Sequence, residues 1–443
     1  MKTARQLALD VLCRVELEGA YSAIAFDRTA RKNGLSERDV SFAAAVFYGV
    51  LERRITLDFM LSSYLKKGIS SLDCAVRNIL RMGAYELCYM DAAPDRAAVN
   101  EAVSLARYAK KSSAGSLVNA VLRSLIRDGK PLKLPDRKAN PMRYLSVKYG
   151  CPEWIVRQWT AQYGEETAEA LAGSSISRPP LYARVNTLKT SADALAALLR
   201  EKGVQAEKHP WLENCLILSK TGSIEAIPAY RNGLFYIQDL SSQLCVQALS
   251  ARPGDTVLDI CAAPGSKSFT AAQMMENSGK ILAFDLYEHK CRLIADGAKR
   301  LGISIIKTAI RDGANDCGEL PMADRILCDV PCSGLGILRR KPEIRFKEEE
   351  ELSGLPALQY RILENAARFL KPGGTLIYST CTTNREENEK VVERFLSENS
   401  WAAPLQFAGG FDTIETIENF MATLLPQKTG SDGFFFASMT KKK

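Results

Sequence analysis

Thiolates are the strongest nucleophiles among the common side chains near neutral pH, and two of this chain's twelve cysteines follow short apolar runs that read as β-strands. Cys332 lies in Asp329-Val330-Pro331-Cys332-Ser333-Gly334, after ADRILCDV, and Cys381 in Tyr378-Ser379-Thr380-Cys381-Thr382, after GTLIYST. In a parallel sheet, ligands gather at the carboxyl ends of the strands. Both sulfurs therefore stand where a substrate would lie, whereas a cysteine kept as apolar filler belongs inside a strand, as Cys328 does. One task suits a thiolate particularly well. Carbon 5 of a pyrimidine is a poor nucleophile, but sulfur added at carbon 6 turns the ring into an enamine-like species able to attack a methyl sulfonium. The thiolate must be favoured by helix amides or a nearby cation. The ring must also accept electron density, which a carboxyl group near the ring nitrogen assists; Asp329 is the candidate. Loss of the carbon 5 proton then expels the sulfur.

A second set of residues speaks to what carries the group transferred. After TVLDI comes Cys261-Ala262-Ala263-Pro264-Gly265-Ser266-Lys267, in which small residues let backbone amides approach a ligand at the start of a helix. A phosphate-gripping loop needs glycine directly before the lysine, and Ser266 stands there. A dinucleotide fingerprint needs GxGxxG, which AAPGSK does not supply. What remains is a nucleoside without a phosphate chain, such as S-adenosylmethionine. Asp285 ends the next strand, 26 residues after Asp259, where an acid can accept both ribose hydroxyls. Asp312 follows the third strand, where a carboxylate can reach an adenine amino group.

These loops require strands to present them. TVLDI, KILAFDL, SIIKTAI, ADRILCDV and GTLIYST alternate with helical stretches from Pro253 onward, the pattern of a doubly wound parallel sheet. The tail, DGFFFASMTKK, reads as a last strand at an antiparallel edge. Upstream, LYARVNTL, SADALAALLREKG and CLILSK give a small α/β insert. Residues 130–152 carry Pro131, Pro135, Pro141 and Pro152 and read as a linker into a short helix around Trp154–Tyr163. Residues 1–128 have alanine and leucine at helical spacing, predicting five to seven helices with their own core. The expected domains are thus 1–128, helical; 129–235, linker and small α/β subdomain; and 236–443, the doubly wound sheet.

Composition narrows the partners. Residues 1–130 hold 20 Lys and Arg against 14 Asp and Glu, an excess compatible with a polyanion. No apolar run approaches the ~20 residues that span a bilayer, and Asp10 and Arg14 interrupt the amino terminus before a secretory core develops. A soluble cytoplasmic protein is expected. With two histidines and no CxxC pair, no metal site is expected.

CAAPGSK, DVPCSG and YSTCTTNREENE, in this order, resemble the RNA 5-cytosine methyltransferases of the Nol1/Nop2/Sun (Fmu) type, and RVNTLK and FYIQDLSSQL resemble segments of the same family. ALDVLCRVE, VFYGVLER, ILRMGAYELCYM and VNAVLRSL resemble the NusB-type RNA-binding domain. The resemblance implies a multidomain protein: an all-α NusB-like bundle plus an α/β Rossmann-like class I methyltransferase domain with a small α/β insert. It further implies that Cys381 attacks the ring and that Cys332 assists release of the methylated RNA. Cys261, Ala262, Ala263, Pro264, Gly265, Ser266 and Lys267, with Asp285, Asp312 and Asp329, would hold S-adenosylmethionine. Ser266 stands where the family pattern carries glycine. In DNA cytosine methyltransferases the Pro-Cys cysteine attacks, which would give Cys332 that role; those enzymes lack a second cysteine at the next strand end. The implied substrate is a cytosine of small-subunit (16S) ribosomal RNA before full assembly, methylated by a monomer and held by the basic helical domain and the insert. Two other readings compete: a transfer-RNA cytosine-5 methyltransferase, and a non-catalytic RNA-binding or antitermination-type factor.

Overall fold

The computed structural model describes residues 2–19, 22–90, 94–315, 318–407 and 416–443. The chain divides into two compact units, one comprising Met1–Ser177 with Leu338–Lys347 and the other Arg178–Ile337 with Glu348–Lys443.

Among the described residues of the first unit, α1 (Ala4–Glu18), α2 (Ser22–Asn33), α3 (Glu37–Glu52), α4 (Arg54–Ser62), α5 (Cys74–Tyr89), α6 (Asp95–Tyr108) and α7 (Gly115–Arg127) form a bundle. Local chemistry sets its boundaries. Thr3 and Gln6 close a capping box at the start of α1, and Gly19 ends it in the left-handed region at φ 62°. Ser36 and Asp73 cap α3 and α5. Buried Leu7, Val11, Leu12 and Val15 recur at helical spacing along one stripe of α1, and Val118, Val121, Leu122 and Leu125 along one stripe of α7. Each such side chain contributes roughly 1.5–3 kcal/mol through burial.

The proline-rich stretch is only partly a linker. Pro141 opens α8 (Pro141–Tyr149), which is followed by α9 (Glu153–Tyr163) and α10 (Glu165–Ser174). Proline is welcome at a first helical position because its missing N–H would have no partner there, and the Asn140 side chain accepts from Arg143 N at 2.9 Å.

Residues 338–347 complete this unit from far along the chain. Arg345, only 3% exposed, donates to Leu338 O at 2.9 Å, Ser175 O at 2.8 Å and Ser175 Oγ at 2.9 Å. Phe346 packs against the bundle core, with the Arg54 guanidinium 4.5 Å over its ring.

In the second unit, β1 (Leu181–Val185), α11 (Ala192–Glu201), β2 (Gln205–Lys208), β3 (Cys215–Ser219), α12 (Pro228–Arg231) and β4 (Phe235–Ile237) make a small antiparallel sheet, ordered β2-β3-β1-β4, with its own core. The larger part follows as α13 (Leu240–Leu249), β5 (Thr256–Asp259), α14 (Ser266–Met274), β6 (Lys280–Asp285), α15 (Glu288–Leu301), β7 (Ile306–Ile310), β8 (Ala323–Asp329), α16 (Leu355–Ala367), β9 (Leu370–Thr380), α17 (Glu389–Glu398), β10 (Ala402–Pro404), β11 (Thr416–Glu418), β12 (Met421–Leu424) and β13 (Phe434–Lys441).

Its sheet runs β11-β12-β13-β9-β8-β5-β6-β7, with β10 also on β13. β5 through β9 pair in parallel. Alternate residues feed opposite faces. Val257, Leu327 and Ile377 pack with α13, α14 and α15, while Leu258, Ile326, Cys328, Leu376 and Tyr378 pack with α16 and α17. The strand order reverses between β5 and β8, placing the crevice of a doubly wound sheet at their carboxyl ends. The tail strand is antiparallel but not an edge. β13 lies between β9 and β12, so Phe434, Phe435 and Phe436 are buried on both faces, which three consecutive large apolar residues require. Among the described residues, no helix is long and apolar enough to cross a membrane.

Candidate active site

At the end of β5 the chain turns through Ile260–Gly265 into α14. Gly265 has φ 103°, and a Cβ there would lie 2.6 Å from the Phe269 ring, so this corner needs glycine. Ser266 follows as the first residue of α14 and is absent from the positive-φ residues, so serine sits there without backbone strain. Gly265 offers no side-chain cap, which leaves the first amides of α14 able to meet a ligand.

Four carboxylates belong to these strand ends. Asp259 is 1% exposed; its Oδ2 accepts from Ser268 Oγ at 2.6 Å, and its Oδ1 is buried without a partner. Burial pushes its carboxyl up to about 7. Asp285, also buried, accepts from Tyr287 N at 3.3 Å and has Lys290 Nζ at 3.4 Å. Asp329 Oδ2 receives Lys267 Nζ at 2.6 Å and its Oδ1 receives Ser379 Oγ at 2.8 Å. Burial opposes the Lys267 charge, but the attraction of Asp329 outweighs it and holds the ammonium well above its ordinary range. The Cys261 thiol is pushed up by burial and then by the negative charges of Asp259, Asp329 and Asp285. Asp312 is exposed, and its carboxylate accepts from Ala314 N at 2.9 Å and Asn315 Nδ2 at 2.7 Å. The next residue, Gly313, presses on the β5 loop: a Cβ there would lie 2.7 Å from Ile260 Cγ2. Leu286 and Tyr287, directly after Asp285, are large side chains left exposed, which the sequence did not single out.

The sulfurs of Cys332 and Cys381 are 3.2 Å apart, both partly exposed. The Cys332 thiol is raised well above its ordinary range, first by its bond to Cys381 and then by burial. The two sulfurs thus share a proton, and either can be the donor to the other.

Glu387, fully buried, fastens the two cysteine loops together. Its Oε2 accepts from Ser333 N at 2.8 Å and Gln359 Nε2 at 2.9 Å, and its Oε1 accepts from Asn384 Nδ2 at 3.0 Å. Asn388 bridges Thr380 Oγ1 at 2.6 Å and Thr382 O at 3.0 Å, while Ser333 and Thr382 hydroxyls meet at 2.7 Å. The signal in the sequence was NREENE, two Asn and three Glu beginning three residues after strand-end Cys381. Among the described residues, no group of His, Cys, Asp and Glu could hold a metal ion.

The residues present fit an adenosyl sulfonium. A small-residue turn with uncapped helix amides, the unpartnered Asp259 oxygen, and the carboxylates of Asp285 and Asp329 offer donors, acceptors and negative charge to a cationic nucleoside.

Family models match the chain in three segments: the NusB family at residues 2–127, the RsmF/B-like methyltransferase ferredoxin-like domain at 151–225, and 16S rRNA methyltransferase RsmB/F at 246–440. A probable ribosomal RNA small subunit methyltransferase B of Bacillus subtilis is 36% identical, with 99% of each chain covered. A protein of the same description from Synechocystis is 34% identical over 100% of both. The crystal structure of PH0851 superposes with a TM-score of 0.83 at 25% identity, covering 100% of this chain and 99% of that one. With three domains matched in order and such identity along the whole length, the chain belongs to the ribosomal RNA small subunit methyltransferase B family.

Proposed function

We propose that this protein methylates carbon 5 of a cytosine in small-subunit ribosomal RNA through a transient bond between that base and Cys381, acting as a cytoplasmic monomer on RNA not yet fully assembled. The observation that carries the reading is the pair of sulfurs 3.2 Å apart at neighbouring strand ends, next to strand-end Asp329 and its tie to Lys267. Cys261 through Lys267, with Asp285, Asp312 and Asp329, would hold S-adenosylmethionine, which when bound supplies an electrophilic methyl group.

The chain's own residues do the rest. Cys381, as thiolate, forms a bond from Sγ to carbon 6 of the ring. Cys332, protonated beside it, does not compete for that carbon. Lys267 holds a proton at Nζ, 2.6 Å from Asp329 Oδ2, so the pair can deliver positive charge toward the ring nitrogen as the ring gains electron density. Carbon 5, now nucleophilic, takes the methyl group. Its proton is then lost to a base, and the electron pair expels Cys381 Sγ from carbon 6; Cys332 assists this release. The target must leave its stack, which costs least in a loop or single strand.

The test incubates the protein with labelled S-adenosylmethionine and separate pools of naked small-subunit, large-subunit and transfer RNA, then maps 5-methylcytosine. One labelled cytosine in small-subunit RNA is the expected result. Label confined to transfer RNA, or at another atom, overturns the reading.

A further inference from the structure

Away from the thiols, the second unit holds a cleft of about 320 Å³, within the size range of small-ligand pockets. It is lined by Arg184 of β1, Trp211 and Asn214 of the turn before β3, Gln243 of α13, and Thr270 of α14 among others. Three features of this lining point to one kind of ligand.

Arg184 is half-buried and makes one hydrogen bond, to Gln273 at 3.4 Å; among the described residues it has no ion-pair partner. A cation left unpaired at a cleft is a place for a phosphate. Trp211 is half-buried: its backbone N–H donates to His209 Nδ1 at 3.2 Å, and its indole meets the His209 ring edge to face at 5.3 Å. An indole braced against a neighbouring ring at a cleft is a stacking platform. Gln243 is 1% exposed, and its Nε2 is tied to Gln238 O at 3.0 Å, so its Oε1 faces away from that bond. That Oε1 is buried without a partner, an acceptor awaiting an N–H. An anion site, an aromatic face and a lone acceptor together match a nucleotide: phosphate, base face and base edge.

We propose that this cleft holds a nucleotide of the RNA substrate other than the one methylated, with its base against Trp211, its phosphate at Arg184, and a base N–H donating to Gln243 Oε1. The assignment rests on the reading that RNA is the substrate. Thr270 lies one helical turn beyond Ser266, with its hydroxyl 3.0 Å from Ser266 O, so the same helix serves the cleft and the cofactor loop. A nucleotide seated here sets the register of the strand while the target base is withdrawn from its stack.

The experiment uses the full-length protein and a small-subunit ribosomal RNA transcript. Trp211→Ala and Arg184→Gln should each raise KM for RNA roughly 5- to 100-fold, the range that loss of one stacked base or phosphate contact covers, with kcat within about twofold and KM for S-adenosylmethionine unchanged. Trp211→Phe should recover most of the affinity. Irradiation of a 5-bromouridine-substituted transcript should join RNA to the peptide carrying Trp211. Arg184→Gln keeps the test alive if Trp211→Ala fails to fold. Unchanged KM for RNA in the folded variants, a fall confined to kcat, or cross-links elsewhere overturns the proposal. If the wild type binds RNA through Trp211 yet methylates none, the cleft stands and the catalytic reading falls.

Discussion

Both units bury ionised groups, but they complete them differently. In the bundle, Arg81 is 2% exposed and all three nitrogens of its guanidinium are used: Nε and Nη2 reach the two oxygens of Asp58 at 2.6 and 2.8 Å, and Nη1 reaches Glu16 Oε2 at 2.9 Å and Asn78 Oδ1 at 3.0 Å. Burial works against the Glu16 charge, yet Arg81, Asn78, Arg54 and Arg77 together hold its carboxyl below the ordinary range. At the strand ends of the second unit, bonding capacity is left over. Asp259 keeps an oxygen without a partner, and two thiols have each other as neighbours. A guanidinium bonded through all three nitrogens serves packing, whereas a carboxylate oxygen left over beside a glycine turn at a strand end marks a place for a ligand.

The largest effects expected are at the sulfurs. Cys381→Ala should abolish methyl transfer with no RNA retained on denaturing gels, while Cys332→Ala should accumulate a covalent protein–RNA adduct. The reverse pattern would exchange the two roles. Next comes Arg81→Ala, which strands Asp58 and Glu16 in the bundle and should cost about 3–5 kcal/mol, read as an earlier unfolding transition of the helices. An unshifted transition would show that the network is not structural. Glu387→Ala removes the acceptor shared by Ser333, Gln359 and Asn384. Loss of such charge-assisted bonds should lower kcat about 10- to 100-fold while KM for S-adenosylmethionine holds, with Glu387→Gln recovering part; equal losses in both constants would mean general disorder instead.

The smallest effect is a pH dependence. Burial raises the folded Asp259 carboxyl to about 7, whereas an unfolded aspartate titrates near ~3.9. Its contribution to stability is therefore full below the unfolded value and is lost as pH rises through about 7. Asp259→Asn keeps an acceptor for Ser268 and should gain melting temperature relative to wild type between pH 5 and pH 8. A constant difference across that range would show that Asp259 does not titrate there.

What could be read from the sequence was whatever is encoded locally. The strands carrying Cys332 and Cys381 announce themselves as apolar runs, and their adjacency brings together sulfurs 49 residues apart. The glycine turn before α14 is likewise a matter of a few consecutive residues. Pro141 misleads because the same ring that breaks a helix also suits its first turn, and only the Asn140 cap distinguishes the two. β13 reads as an edge because β10 and β12, which lie alongside it, span only three and four residues. Glu387 and the cleft are harder still. Glu387 gathers Ser333, Gln359 and Asn384, and the cleft gathers Arg184, Trp211 and Gln243; neither set shares a periodicity, so each exists only once the sheet has formed.

Because residues 338–347 finish the helical unit while interrupting the catalytic one, no single cut in the backbone yields either unit whole. A fragment ending at Ser177 loses the guanidinium that grips Ser175, and one beginning at Arg178 bares Ile344 and Phe346 to water a dozen or so positions beyond Cys332. The backbone passes between the units three times, after Ser177, Ile337 and Lys347.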